Sequence, residues 1–344
     1  MLEIDGSLGE GGGQILRTSL ALALVTGKQF HLHSIRAGRE KPGLQPQHLM
    51  SVRAAATVGQ AAVKGDRPGS RELWFEPGQV QAGKYTFSIG TAGATALVLQ
   101  TVYLPLALRG AAASEVAIQG GTHVTQAPCF HFLDATWRHY LEQIGIQVQP
   151  RMVRPGFYPR GGGLIEATIQ PCPHPKGIRL LQRGAVTQAS GFSAVAGLPE
   201  NIAQRQARRA SHRLKGLGVH PQIALEEWQG GPGTVLAVTL NTRPVPTFFF
   251  GLGARGKPAE RVADEAVDQA EEYLRAESGA VDPHSADQFV LPLALAAGAS
   301  AFTVSQVTQH LLTNIAVIRL FIDRPIEVEG GEGKPGMVRI PAAS

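Results

Sequence analysis

The chain has 344 residues, 43% of them hydrophobic and 17% charged, a globular composition that excludes a disordered or fibrous protein. Its 32 Lys and Arg against 27 Asp and Glu leave a net charge of +5, a mild basic excess that suits a polyanionic partner without establishing one. Only two cysteines occur, Cys129 and Cys172, in no metal spacing, which argues against a zinc site and a disulfide framework and for a reducing compartment.

Met1–Gly6 has neither the basic nor the apolar segment of a secretory leader. The longest apolar run, Phe289 to Phe302, is too short to span a bilayer and is broken by Pro292 and Gly298. The expectation is a cytoplasmic protein with no membrane partner.

In chain order, a strand at Leu2–Ile4 is followed by glycines 6, 9, 11, 12 and 13 and then a helix-period run from Ile15 to Val25. Consecutive glycines let backbone N–H groups approach a phosphate, and the helix start adds its dipole. The spacing is not that of a P-loop, and a tight strand-to-helix turn explains it equally well. Arg17 lies one turn beyond the loop, and Glu10 is a candidate ligand for a divalent ion.

From Ser34 to His48, two arginines and a lysine (Arg36, Arg39, Lys41) sit on a stretch that Gly38, Pro42, Gly43 and Pro46 keep from being helical. Guanidiniums on a stiff loop suit phosphate oxygens, although a charged surface loop has the same look. Gln47 and His48 then begin a helix.

The strand–glycine–helix order recurs. Tyr85–Ile89 leads through Gly90 and Gly93 to a helix over Ala94–Leu108, where Gln100 is a polar side chain in an apolar run. Glu115–Ile118 leads through Gly120 and Gly121 to a helix over Cys129–Ile144. Later, helices at Phe289–Ala297 and Thr308–Phe321 flank a strand at Ala301–Val304. These are read as internal repeats of a sheet backed by helices.

Between about residues 183 and 280 the texture changes. Strands at Ala189–Ala196, Gln222–Leu225, Val235–Thr239 and Thr247–Leu252 flank two charged helices, Glu200–Lys215 and Pro258–Ala276. This predicts a small inserted α/β domain, 183–280, within a larger repeat-built domain formed by 1–182 and 281–344. On the first charged helix, Arg205, Arg208, Arg209, His212, Arg213 and Lys215 fall mostly on one face, as a nucleic-acid-facing or simply solvated stripe would.

In Asp282–Gln288, Ser285 is a candidate N-cap with Gln288 three residues on, as in a capping box. Thr308 is a candidate cap for the last helix, which puts His310 in its first turn. There the helix dipole disfavours imidazolium and keeps a nucleophilic neutral ring, and the same helix end favours an anion alongside.

Glu10–Arg17, Ile35–Arg39 with Lys41–Leu44, Gln47–His48, Gly156–Pro159 with Gly161–Gly163, Asp287–Gln288 and His310–Asn314 together resemble the RNA 3′-terminal phosphate cyclase family. The likeness runs from about Leu2 to Phe321. It implies an α/β (α+β) fold of three units, each a four-stranded sheet backed by two helices, with a small α/β domain inserted between repeats.

It implies ATP-dependent conversion of an RNA 3′-terminal phosphate to a 2′,3′-cyclic phosphate, a ligase reaction yielding AMP and diphosphate. His310 matches the nucleophile that carries AMP. Gln100, His284, Ser285, Ala286, Asp287 and Gln288 match ATP-binding positions. Arg17, Arg36, Arg39, Gln47 and His48 match phosphate or RNA-end contacts, and Glu10 matches a ligand for Mg or Mn. Pro283-His284-Ser285 departs from the usual Glu-Tyr-Leu, which alters the adenine pocket. A non-catalytic cyclase-like ribosome-assembly factor is the rival in the same fold, and an enolpyruvyl-transferase-like enzyme a second. A homodimer is an open option.

Overall fold

The computed structural model describes residues 1–276 and 278–343. Three segments repeat one order of elements, strand–helix–strand–helix–strand–strand. The first comprises β1 (Leu2–Asp5), α1 (Gly13–Thr26), β2 (Phe30–His33), α2 (Pro46–Gly59), β3 (Ala62–Lys64) and β4 (Leu73–Glu76), in a sheet of order β1-β2-β4-β3. β1 and β2 are parallel across the α1 crossover, and β4 is antiparallel to both its neighbours.

The second comprises β5 (Lys84–Ser88), α3 (Thr95–Arg109), β6 (Ser114–Gly120), α4 (Phe130–Phe132), a π turn (Leu133–Trp137), α5 (Arg138–Gln143), β7 (Val148–Arg154) and β8 (Gly163–Ile169). Its sheet order, β5-β6-β8-β7, is that of the first.

The third starts with β9 (Arg179–Leu180), and the chain then departs. β10 (Gln188–Ala196), α6 (Glu200–Gly216), β11 (His220–Trp228), β12 (Gly233–Leu240), β13 (Thr247–Leu252) and α7 (Ala259–Arg275) form a separate sheet, β11-β10-β12-β13. It returns with α8 (Pro283–Leu295), β14 (Ser300–Val304), α9 (Gln309–Phe321), β15 (Glu327–Glu329) and β16 (Gly336–Ile340), closing the sheet β9-β14-β16-β15. The fourth sheet therefore interrupts a unit, where the resemblance placed it between two. The mixed α/β class and the repeated four-stranded sheets are as expected.

Each sheet of a unit turns one face to helices. In β2, Phe30 and Leu32 are fully buried while His31 and His33 point outward. α3 is apolar all round, and every residue from Thr95 to Leu108 is buried, so it must run through the interior. α1 packs on α2, α3 and α9, and α8 packs on α9. Helices of all three units thus meet around α1. In the fourth sheet, α7 buries Ala259, Val262, Ala263, Ala266, Val267, Ala270 and Tyr273 at helical spacing. The sheet's other side meets the second unit through Phe157, packed with Ala194, Ala196, Val235 and Leu252.

Candidate active site

The glycine loop brings three basic side chains together because it lacks side chains of its own. A Cβ on Gly13 would lie 2.2 Å from His48 Nε2 and 2.8 Å from an Arg17 nitrogen, and one on Gly12 would lie 3.3 Å from Arg39. Gly9 sits against α9: with φ +57, a Cβ there would meet Thr313 Oγ1 at 2.1 Å. The loop thereby packs one turn below His310.

His310 stands in the first turn of α9. Thr308 is the N-cap, its Oγ1 accepting from the Leu311 N–H at 2.9 Å, as expected. The Thr308 hydroxyl also donates to the buried carboxyl of Asp287 on α8. Nδ1 of His310 lies 3.0 Å from Glu10 Oε2, and the ring keeps 47% of its surface in solvent. Partial burial holds the imidazole below the ordinary histidine range; Glu10 opposes this, while Arg17, His284 and Arg39 reinforce it. A neutral ring beside that carboxylate carries its proton on Nδ1 and leaves the Nε2 lone pair free. Glu10 also faces Arg39 at 3.6 Å.

Beside this pair lies a cleft lined by Gln14, Arg17, Gln100, Asp287, Gln288 and Asn314, drawn from α1, α3, α8 and α9 and so from all three units. Burial pushes the Arg17 guanidinium down to about 10, which leaves it charged at neutral pH. Among the described residues it has no carboxylate partner. The Nε2 of Gln100 is buried without a hydrogen-bond partner. Two donors therefore face the cleft unsatisfied, the expected state of a pocket that takes an anionic, acceptor-rich ligand.

Asn314 ties the walls: its Oδ1 accepts from Thr18 Oγ1 at 2.6 Å and its Nδ2 donates to the Asp287 carbonyl at 2.7 Å. Burial raises the Asp287 carboxyl well above the usual range, with Asp282 and Glu10 adding to the effect and the Thr308 bond opposing it. Thr18 was missed from the sequence and Asn314 received no role, although they lie one turn from Gln14 and His310 respectively.

Other residues are placed differently from the sequence reading. Arg36 turns its guanidinium back onto its own loop, donating to the carbonyls of Lys41 and Gly43, so it braces the loop. Gln47 Oε1 accepts from the Ala94 N–H at 3.0 Å, which ties α2 to the start of α3. His48 is buried at the third position of α2; its Nδ1 accepts from the Gln45 N–H, and Nε2 points to Gly13. Burial, aided by Arg17 and Arg36, lowers it to about 3, so the ring is neutral.

The cap of α8 is Asp282, accepting from the Ser285 N–H at 3.0 Å with Pro283 in the first helical turn, and not Ser285 as the capping-box pattern suggested. Ser285 and Ala286 are buried within the helix, and Ser285 Oγ has no partner. His284 is exposed and close enough to His310 to influence its charge.

The arginine stripe of α6 is largely consumed by α7. Arg205 holds Glu260 with two bonds of 2.8 and 2.7 Å, Arg209 holds Asp264, and Arg213 reaches Asp264, Asp268 and Glu271.

Residues 8–328 match the family model described as RNA 3′-terminal phosphate cyclase. A protein of that name from Caldivirga maquilingensis is 43% identical over 336 residues, covering 95% of this chain and 94% of its own. One from Ralstonia nicotianae is 44% identical over 341 residues, covering 98% and 96%. One from Salmonella paratyphi C is 39% identical over 333 residues, covering 97% and 95%. No helix among the described residues is long and apolar enough to cross a membrane. The match spans nearly the whole chain and nearly the whole of each relative, so the chain belongs to the RNA 3′-terminal phosphate cyclase family and is a ligase-class enzyme.

Proposed function

We propose that the chain uses ATP to convert an RNA 3′-terminal phosphate into a 2′,3′-cyclic phosphate, with AMP carried transiently on His310. The observation that carries the reading is the His310–Glu10 pair at the start of α9. It presents a neutral, half-exposed imidazole close to Arg17, which has no carboxylate partner among the described residues.

In the first step the Nε2 lone pair attacks the α-phosphorus of ATP, an N–P bond forms, and the bond to diphosphate breaks. Glu10 holds the ring and balances the positive charge it gains. Arg17 and Arg39 supply guanidiniums to the phosphate oxygens. In the second step an oxygen of the RNA 3′-phosphate attacks the same phosphorus. The N–P bond breaks, and His310 leaves as a neutral ring. In the third step the neighbouring 2′-hydroxyl attacks the activated 3′-phosphorus, AMP departs, and the hydroxyl proton passes to solvent.

Gln100 and Gln288 line the cleft and would face the nucleotide, with Asp287 fixing the cap of α9. Ser285 and Ala286 serve by packing α8, His284 by lying at the rim, and Gln47, His48 and Arg36 by shaping the loops around the phosphates. Among the described residues no three His, Cys, Asp or Glu side chains form a metal cage. Glu10 would be the protein ligand of a Mg or Mn ion, which would supply Lewis-acid stabilisation of charge.

The test is RNA labelled in its 3′-terminal phosphate, incubated with ATP, Mg or Mn and the protein. The label should become resistant to phosphatase, and His310→Ala should abolish the change. Label that stays phosphatase-sensitive with every metal, in folded protein that still binds RNA, would favour the non-catalytic relative.

A further inference from the structure

α6 carries two sets of basic side chains, and they have opposite fates. Arg205, Arg209 and Arg213 are neutralised by the acids of α7. Arg208, His212 and Lys215, on another face of the helix, have no ion-pair partner among the described residues.

These three form one wall of an open groove of about 600 Å³. The opposite wall is β11, which is the edge strand of its sheet and contributes Ile223 and Leu225, the latter 46% exposed. Ala207 forms part of the floor. An arginine, a lysine and an imidazole thus stand over an apolar strip, with no carboxylate among the described residues lining the groove.

We propose that this groove is a second RNA-binding surface, which holds the sugar-phosphate backbone of the strand on the 5′ side of its reacting end. The proposal rests on the reading of the chain as an RNA-end enzyme. Arg208 and Lys215 lie seven residues apart, two helical turns or about 10.5 Å, a span that lets them meet different phosphates of one extended strand. Ile223 and Leu225 give bases or riboses an apolar wall. Among the described residues no Phe, Tyr or Trp lines the groove, so it grips backbone without reading sequence, and it leaves the chemistry to the cleft at His310.

The experiment uses the full chain with Arg208→Gln and Lys215→Gln combined, and separately Leu225→Glu. Both alter side chains that support no partner. Two RNAs are compared, a single strand of about 20 nucleotides and a dinucleotide, each ending in a 3′-phosphate. The double variant should bind the long RNA several-fold more weakly and lower its salt slope by about 1.4, at about 0.7 per lost phosphate contact. Leu225→Glu should also weaken it. Turnover of the dinucleotide should not change.

An unchanged salt slope with the long RNA, or equal losses on long and short substrates, would overturn the groove. Binding and conversion of the long RNA that both ignore the two variants would sink the groove and leave the enzymatic reading intact. Groove-dependent binding of long RNA by a protein that never cyclises an end would do the reverse.

Discussion

Glu10 and His310 are 300 positions apart in the sequence and 3.0 Å apart in space, joining the loop after the first strand to the start of the last helix. That contact is made between the first and third repeats. It orients an imidazole at the positive end of α9, where a cation is disfavoured, and sets a carboxylate against its Nδ1.

The first prediction concerns the charge of that ring. The Glu10 carboxylate raises the His310 pKa against burial and the neighbouring Arg17, His284 and Arg39. Glu10→Gln should therefore lower it further, and the folded variant should hold a neutral ring to more acid pH than the parent. Histidine titration by NMR reads this directly. An unchanged titration would mean that the pair does not form in solution.

A second prediction follows from His48, neutral and buried with a pKa of about 3 against an ordinary 6.5. Below the ordinary value the unfolded chain binds a proton that the folded chain refuses, so stability is lost as pH falls from about 6.5 toward 3 and is unaffected above that window. Relative to His48→Gln, the parent should lose about 2 kcal/mol between pH 6.5 and pH 5. Denaturant titrations of both proteins across that range check it, and parallel pH profiles would contradict it.

Arg36 and Arg39 should separate stability from activity. Arg36 satisfies two backbone carbonyls of its own loop, so Arg36→Ala should cost about 1–3 kcal/mol of folding stability together with activity. Arg39 is 44% exposed and, among the described residues, its ion pair is with Glu10 at 3.6 Å, so Arg39→Ala should leave stability within about 0.5 kcal/mol while slowing conversion of RNA ends. Thermal unfolding beside an activity assay distinguishes them. Equal stability losses would remove the distinction.

Asn314 offers a fourth test. Both ends of its amide are used, toward Thr18 and toward the Asp287 backbone, in a buried setting. Asn314→Ala strands both partners and should cost about 1–3 kcal/mol. Because it loosens α8 and α1 from α9, adenylylation should slow even at temperatures where the variant is folded. Unchanged stability would show that water replaces the amide.

The elements with strong apolar periodicity were legible in the sequence. The strand at Ala189–Ala196 is observed at Gln188–Ala196, and the helix at Ala94–Leu108 at Thr95–Arg109. Thr308 as a cap was legible because the hydroxyl precedes a clean apolar run. The site's walls were less so. β9 has two residues, too few for any period, which hid the point where the third unit begins and the fourth sheet interrupts it. At α8 two capping patterns overlapped, and Asp-Pro prevailed over Ser-x-x-Gln.

The α6 stripe is the instructive case. Its arginines recur at helical spacing, but so do Glu260, Asp264, Asp268 and Glu271 on α7, and reading both helices together would have paired them. Arg36 resists such reading altogether. Whether a guanidinium faces a ligand or its own loop depends on a backbone turn, here at φ +54, that composition does not specify.

The central claim is that His310 Nε2 takes AMP from ATP. The most direct measurement is to incubate the protein with ATP and Mg or Mn in the absence of RNA, digest it under alkaline conditions, and locate any AMP by mass spectrometry. AMP on the peptide containing His310, labile to acid and discharged by RNA ending in a 3′-phosphate, is the result expected. AMP on another residue, or none in folded protein that binds ATP, would contradict the account.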